Sequence, residues 1–434
     1  MPSSADKLLA RREKLLGPAL SLFYSRPLHI VRGEGVWLYD ADGRRYLDMY
    51  NNVPHVGHCH PHVVEAIATQ SRMLNTHTRY LHELVLDYAE LLTSRLPDAL
   101  DVAMFSCTGT EANELALRMA RTVTGGTGVI VTDHSYHGNS QAISEISTDG
   151  NTVETRPPYV IAVPSPDRYR GRYRGADAAE SYAAHVNDAL ETLGNRGIKP
   201  AALVLDTIMS SEGIVSVPSG YLSRVAERIR AAGGLFIADE VQPGFGRTGE
   251  NFWGFQRDGV VPDIVTMGKP MGNGHPLAAT VSRMEVVQAF AGQAHYFNTF
   301  GGNPVSAAAG LAVLDVIENE RLQENALVVG RHLIAGLQRL AERHERIGEV
   351  RGTGLFLAVD VVEDRTSRKP ATAAAAQIVD ELRKHGVLTN TIGPRDNILK
   401  LRPPMVFSKE NADMFVDILE RLLDALPDAK RTTR

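Results

Sequence analysis

Along the chain, apolar residues first gather in short runs broken by turn residues. Ile30-Val31 and Val36-Trp37-Leu38-Tyr39 precede the turn Asp40-Ala41-Asp42-Gly43 and then Tyr46-Leu47-Asp48. This pattern predicts short strands joined by a hairpin, the start of a small antiparallel unit. From about His62 the period lengthens and elements alternate. Helices are expected over 63–74 and 111–122, and strands over 102–105, 129–132, 160–163, 202–205, 234–238 and 264–267. Such alternation predicts an α/β fold, a mostly parallel sheet with helices on both faces. The runs Ala202-Leu203-Val204-Leu205 and Leu235-Phe236-Ile237-Ala238 are continuously apolar, as strands covered on both sides should be, and each ends in an acid, Asp206 and Asp239. Ligands of open parallel sheets bind at the carboxyl ends of strands, which puts these acids where chemistry is expected.

A long helix over 304–319, a strand over 355–361 and amphipathic helices over 372–385 and 411–426 complete the pattern. They predict a smaller α+β domain at the C-terminal end. The expected organisation is an N-terminal segment, 1–60, contributing to the small domain, a large domain over 61–318, and a small C-terminal domain over 319–434. The stretch 168–175 reads as a polar loop.

Composition narrows the function classes. Among 434 residues the formal net charge is −5, with no long run of either sign, which argues against nucleic acid or another polyanion as a partner. Two cysteines, Cys59 and Cys107, cannot form a disulfide framework and suit a reducing compartment. The first 16 residues scatter Asp6, Lys7, Arg11, Arg12, Glu13 and Lys14 among leucines rather than forming a signal-peptide core. No apolar run reaches the roughly 20 residues of a membrane span. A soluble, cytoplasmic protein is expected.

Four features point to one cofactor. Thr108-Gly109-Thr110-Glu111-Ala112-Asn113 joins a strand to a helix, and the free amides of such a helix N-terminus make a phosphate site. Asp239 closes a buried strand, where a carboxylate needs a cation such as a protonated pyridine nitrogen. Tyr136, after another strand, is placed to lie on an aromatic ring. Lys269 follows the strand 264–267 at a glycine-rich turn, where desolvation favours the neutral amine that attacks a carbonyl. Phosphate cup, ring partner, stacking ring and amine are together the needs of pyridoxal phosphate.

Two other patterns lead away from function. Gly244-Phe245-Gly246-Arg247-Thr248-Gly249 spells a dinucleotide fingerprint, but Asn251-Phe252-Trp253-Gly254 does not begin the helix that motif requires. His55, His58, Cys59, His60 and His62 cluster without a zinc-like spacing, so no metal site is expected.

With these residues in place, the chain resembles the class III, ornithine-aminotransferase-like branch of the fold type I pyridoxal phosphate enzymes over nearly its whole length. The resemblance rests on the stretches 57–61, 108–113, Tyr136-His137-Gly138, 236–242, 244–249 and Asn298-Thr299-Phe300-Gly301-Gly302-Asn303-Pro304. It implies Lys269 as the imine-forming lysine, Asp239 as partner of the ring nitrogen and Gln242 near the ring hydroxyl. Gly109 and Thr110 would hold the phosphate, Tyr136 would stack, and Thr299 would reach the phosphate of a neighbouring subunit. A homodimer with shared active sites is implied, and a tetramer stays open.

Within that family, glutamate-coupled transaminases place an arginine three residues before a Pro-Pro pair, masked by a glutamate after a sheet strand. Here Lys400 stands three before Pro403-Pro404, and Asp206-Thr207-Ile208-Met209-Ser210-Ser211 replaces the glutamate motif, with Glu212 one place beyond. Lysine lacks the guanidinium fork, which weakens that reading. The flanks 51–61, 267–276 and 399–405 are similar instead to phospholyases acting on O-phosphoethanolamine or phosphohydroxylysine. That likeness implies a small phosphorylated amine as substrate, Lys269 as the base, and a cationic pocket for the substrate phosphate. Arg26 is the first candidate for it, with Arg402 and Arg79 behind and Tyr24 nearby in sequence. A class III aminotransferase using pyruvate or glyoxylate is the alternative.

Overall fold

The structure is a computed structural model that describes residues 4–150 and 155–425; the last residue of the helix expected to end at Leu426 lies outside them, as do the first three of the chain. Three short strands open the fold, β1 (Ile30–Glu34), β2 (Trp37–Asp40) and β3 (Arg45–Asp48), in the antiparallel order the turn residues predict. A seven-stranded sheet follows. Its strands are β4 (Val102–Ser106), β5 (Gly128–Thr132), β6 (Val160–Val163), β7 (Pro200–Asp206), β8 (Leu235–Asp239), β9 (Ile264–Met267) and β10 (Ala278–Ser282). Their spatial order is β4-β10-β9-β8-β7-β5-β6.

Strands β5 to β9 pair in parallel, and β10 runs antiparallel to both β4 and β9. The sequence gives little warning of β10. Ala278-Ala279-Thr280-Val281-Ser282 lacks a bulky apolar run, and it is a strand because it is wholly buried between two others.

The continuous apolar runs are explained by two cores, one on each face. Ile130, Phe236, Ala238 and Val265 pack into one, while Val129, Val131, Ile237 and Ile264 pack into the other. Consecutive residues point to opposite faces, so both must be apolar. Each of the valine, isoleucine and phenylalanine side chains stabilises the sheet by about 1.5–3 kcal/mol.

The C-terminal part forms an antiparallel sheet from β11 (Ile347–Thr353), β12 (Phe356–Val361), β14 (Asn390–Ile392) and β15 (Ile398–Leu401). Strand β13 (Val387–Leu388) leaves this unit and pairs in parallel with β3, adding a fourth strand to the N-terminal sheet. The backbone amide of Arg402 donates to Met49 O at 2.6 Å, so the segment after β15 lies against the one after β3.

Candidate active site

Six of the expected residues meet at the carboxyl ends of the parallel strands. Asp239 is the last residue of β8, Lys269 lies two residues after β9, and Gly109 and Thr110 begin the helix Gly109–Thr124 that follows β4. Tyr136 follows β5, and Gln242 lies in the turn after β8. Together they line a cavity of about 340 Å³ with Thr108, His137, Val241 and His275.

The helix end is built to take an anion. Thr108 caps it, with Glu111 N donating to Thr108 Oγ1 at 3.2 Å, while Glu111 Oε2 accepts from the backbone of Cys107 at 2.8 Å and of Thr108 at 3.0 Å. The amides of Gly109 and Thr110 belong to the first turn, so the helix offers them no carbonyl, and they border the cavity. The surroundings leave no room for side-chain carbon on this wall: a Cβ on Gly138 would lie 2.5 Å from Thr110 Oγ1, and the backbone there has φ +142°.

Asp239 is held on three sides. Asn113 Nδ2 donates to its Oδ2 at 2.9 Å, His137 Nδ1 meets the same oxygen at 2.8 Å, and Val241 N donates to Oδ1 at 3.0 Å. Asn113 is itself fixed, since Thr266 Oγ1 donates to its Oδ1 at 2.6 Å. Sequence reading passed over both Asn113 and His137 as site residues, although they end or centre the motifs 108–113 and 136–138. Lys269 is mostly enclosed, and burial, then the positive charge of Arg402, lowers its ammonium below the ordinary lysine range. An amine so placed reaches its neutral form more readily.

A second cavity, of about 440 Å³, adjoins the first and shares Tyr136, Gln242 and Lys269 with it. Its walls include Tyr50, His134, Ser211, Lys400 and Arg402. Lys400 Nζ donates to Gln242 Oε1 at 3.2 Å, and Arg402 Nη1 donates to the same oxygen. Arg402 Nε also donates to Tyr50 O at 3.1 Å. Burial, then Arg402, pushes Lys400 well below its usual range, and burial lowers Arg402 to about 10. Two buried basic groups side by side, facing a cavity, are arranged for an anion, which would favour the charged form of both.

The remaining candidates lie elsewhere on this chain. Arg26 is exposed and lines neither cavity. Arg79 is exposed and stacks on Phe297, 3.9 Å from the ring centroid. Tyr24 donates through its hydroxyl to Thr389 O at 3.1 Å, and Phe23 beside it packs edge-on against Tyr50 at 5.3 Å. Thr299 is exposed, outside both cavities. Of the arginines, Arg402 alone reaches the cavity, and Lys400, expected only as an altered switch, stands beside it.

The nucleotide-like motif is used structurally. Arg247 is buried and donates to Leu355 O at 3.0 Å and Pro403 O at 2.7 Å, and its Nη2 meets His55 Nδ1 at 3.1 Å. The clustered histidines are also separately engaged: His55 with Phe245 O, His58 with Asp48, His60 with Glu320 and His62 with Asp315.

Residues 24–423 match the family described as aminotransferase class-III. The chain belongs to this family. Class III aminotransferases are pyridoxal phosphate enzymes, and pyridoxal phosphate is the cofactor of this one. The first cavity holds groups that fit it: free amides at a helix end, a buried carboxylate on Asp239 and the amine of Lys269. Among class III relatives, a Drosophila melanogaster protein named alanine–glyoxylate aminotransferase 2-like is 45% identical, the match covering 95% of this chain and 86% of the relative. A Caenorhabditis elegans protein named ethanolamine-phosphate phospho-lyase homolog 1 is 40% identical, covering 97% and 94%. A solved phospholyase from Arthrobacter, in complex with phosphoethanolamine, superposes with a TM-score of 0.94 at 47% identity, over 97% of this chain and all of that one. Among the described residues no helix is long and apolar enough to cross a membrane.

Proposed function

We propose that this class III enzyme is a phospho-lyase that eliminates phosphate from a small phosphorylated amine such as O-phosphoethanolamine, giving aldehyde, ammonia and phosphate. The observation that carries this reading is the second cavity: it opens onto Lys269 and is walled by Lys400 and Arg402, a pair suited to a dianion one or two carbons from the reacting amine. The phosphoethanolamine complex of the Arthrobacter neighbour supports the same substrate class.

Bound pyridoxal phosphate supplies a carbonyl that takes up the amine and a ring that accepts electron density. Asp239, oriented by Asn113 and His137, keeps the ring-nitrogen site anionic and so favours a proton there. Lys269 Nζ, its proton affinity reduced by burial, takes the proton from the carbon bearing the amine nitrogen. Lys400 and Arg402 hold the phosphate and stabilise its charge as the bond between the next carbon and oxygen breaks. The enamine left behind takes up one water and yields aldehyde and ammonia. Thr299 belongs to this reading through a second subunit, where it would reach the phosphate of its partner's cofactor, and Arg26 and Arg79 would have to act across the same boundary.

Incubation of the cofactor-loaded protein with O-phosphoethanolamine and no keto acid tests the proposal. Phosphate, acetaldehyde and ammonia in equal amounts are expected; no phosphate release there, together with alanine formed in a second incubation with pyruvate and another amine, would overturn it. That second outcome is the aminotransferase alternative, which the name of the Drosophila relative favours.

A further inference from the structure

The loop after β7 carries Ser211 into the wall of the second cavity, the next residue, Glu212, is buried, and the loop's backbone is held in an unusual shape. Met209 has φ +54°, Gly213 has φ +116° and Ile214 has φ +52°. Left-handed conformations at methionine and at β-branched isoleucine cost about 1–3 kcal/mol each, and persist where surroundings over-determine them.

The over-determining group is Arg351 on β11. Its Nε donates to Ile214 O at 2.9 Å and to Gly213 O at 3.1 Å, and its Nη2 donates to Gly213 O at 2.8 Å. Its remaining nitrogen, Nη1, is spent on Glu349 at 2.7 Å and Asp360 at 3.1 Å. Asp360, fully buried on β12, is the anchor: it also accepts two hydrogen bonds from Arg170 at 2.5 Å and one from Asn397 Nδ2 at 2.8 Å. The small sheet therefore grips the far end of a large-sheet loop by its carbonyls. At the near end, Glu212 Oε1 accepts from Thr132 Oγ1 at 2.5 Å, while its Oε2 is buried without a hydrogen-bond partner. Glu212 lies within electrostatic reach of Lys400.

We propose that Arg351 is a positioning residue for the substrate cavity: clamped to Asp360, it fixes the strained loop so that Ser211 and Glu212 face Lys400, and it thereby sets affinity for the amine substrate without touching it. Neither Arg351 nor its partners border the cofactor cavity, so loss of the clamp should leave the cofactor in place. The inference rests on the reading that this cavity receives the amine substrate, which the lyase and the aminotransferase alternatives share.

The test measures KM and kcat of Arg351→Lys and Arg351→Gln, with cofactor content read from absorbance, using whichever amine the wild type turns over. Arg351→Gln is expected to raise KM at least tenfold with kcat within about threefold and full cofactor content. Arg351→Lys, which keeps a charge but loses the fork, should fall between. Gly213→Ala tests the loop without altering a charge, because a Cβ there would lie 2.5 Å from Ile398 Cδ1 and φ is left-handed; it should give the same KM-dominated loss, and it stands in if Arg351→Gln does not fold. KM within twofold of wild type in Arg351→Lys and Gly213→Ala, or equal losses of kcat and cofactor, would overturn the inference. Absence of phosphate release from wild type would instead count against the lyase reading, and the KM comparison would proceed with the transamination substrate.

Discussion

His137 Nδ1 lies 2.8 Å from Asp239 Oδ2, with both side chains buried. The imidazole and the Asn113 amide share that oxygen, so the carboxylate cannot turn away from the cavity. Asp239→Asn should retain the cofactor and lower kcat by about 100- to 10,000-fold, the range a lost proton-holding group typically costs. His137→Phe should lose less, because Asn113 and the Val241 amide still orient the carboxylate. Steady-state kinetics on cofactor-saturated protein checks both.

Lys269 is expected to bond the cofactor covalently. After borohydride reduction and digestion, the cofactor mass should sit on the peptide containing Lys269. Lys269→Ala should show no such adduct and no turnover.

Gly138 is expected to govern cofactor affinity. A methyl group there meets Thr110 Oγ1 at 2.5 Å in a backbone region that favours glycine, so the helix end it faces must shift. Gly138→Ala should weaken pyridoxal phosphate binding by at least tenfold, measured by absorbance titration after dialysis.

Binding of a phosphate ester should take up protons. Lys400 is depressed by burial and by Arg402 in the open cavity, and a neighbouring dianion favours its charged form, raising its proton affinity. Calorimetric titration with 2-aminoethylphosphonate in two buffers of different ionisation enthalpy, near pH 8, should reveal net uptake. Lys400→Met should abolish it.

Glu212 makes stability depend on pH. Burial, then Asp206, raises its carboxyl to about 8, against 4.5 for the free side chain. Between those values the folded state holds a proton that the unfolded state has released, so stability falls as pH rises through the window. The slope from this group is at most about 1.4 kcal/mol per pH unit. Urea unfolding of wild type and Glu212→Gln at pH 5.5 and 8 should show the variant gaining relative to wild type at the higher pH.

The meeting of Lys269, Asp239, Gly109 and Tyr136 in the first cavity was legible in the sequence because each ends or follows a recognisable strand or opens a helix, and strand ends converge by the geometry of a parallel sheet. Lys269, Asp239, Gly109 and Tyr136 needed only that rule. The second cavity was harder. Lys400 lies on the short strand β15 of the small sheet and Arg402 just after it; their place opposite Gln242 depends on how that sheet packs on the large one, and local periodicity carries no such information. Lys400 drew notice for failing to be an arginine rather than for what it touches. Arg26 drew notice for its neighbours in sequence, but its own side chain is exposed. Strand β10 was invisible for a different reason: small residues fill a slot already narrow on both sides, so its pattern lacks the bulk that marks its neighbours.

The parallel pairing of β3 with β13 has a consequence for biosynthesis. On the edge of β3 that faces away from β2, Leu47 and Asp48 pair with Val387 and Leu388. A ribosome must therefore release nearly the whole polypeptide before the first hairpin acquires its fourth strand, and until then one edge of that hairpin has nothing to bind. The earliest segment made is among the last to be completed, and a chain interrupted before residue 387 would present that open edge to whatever it met.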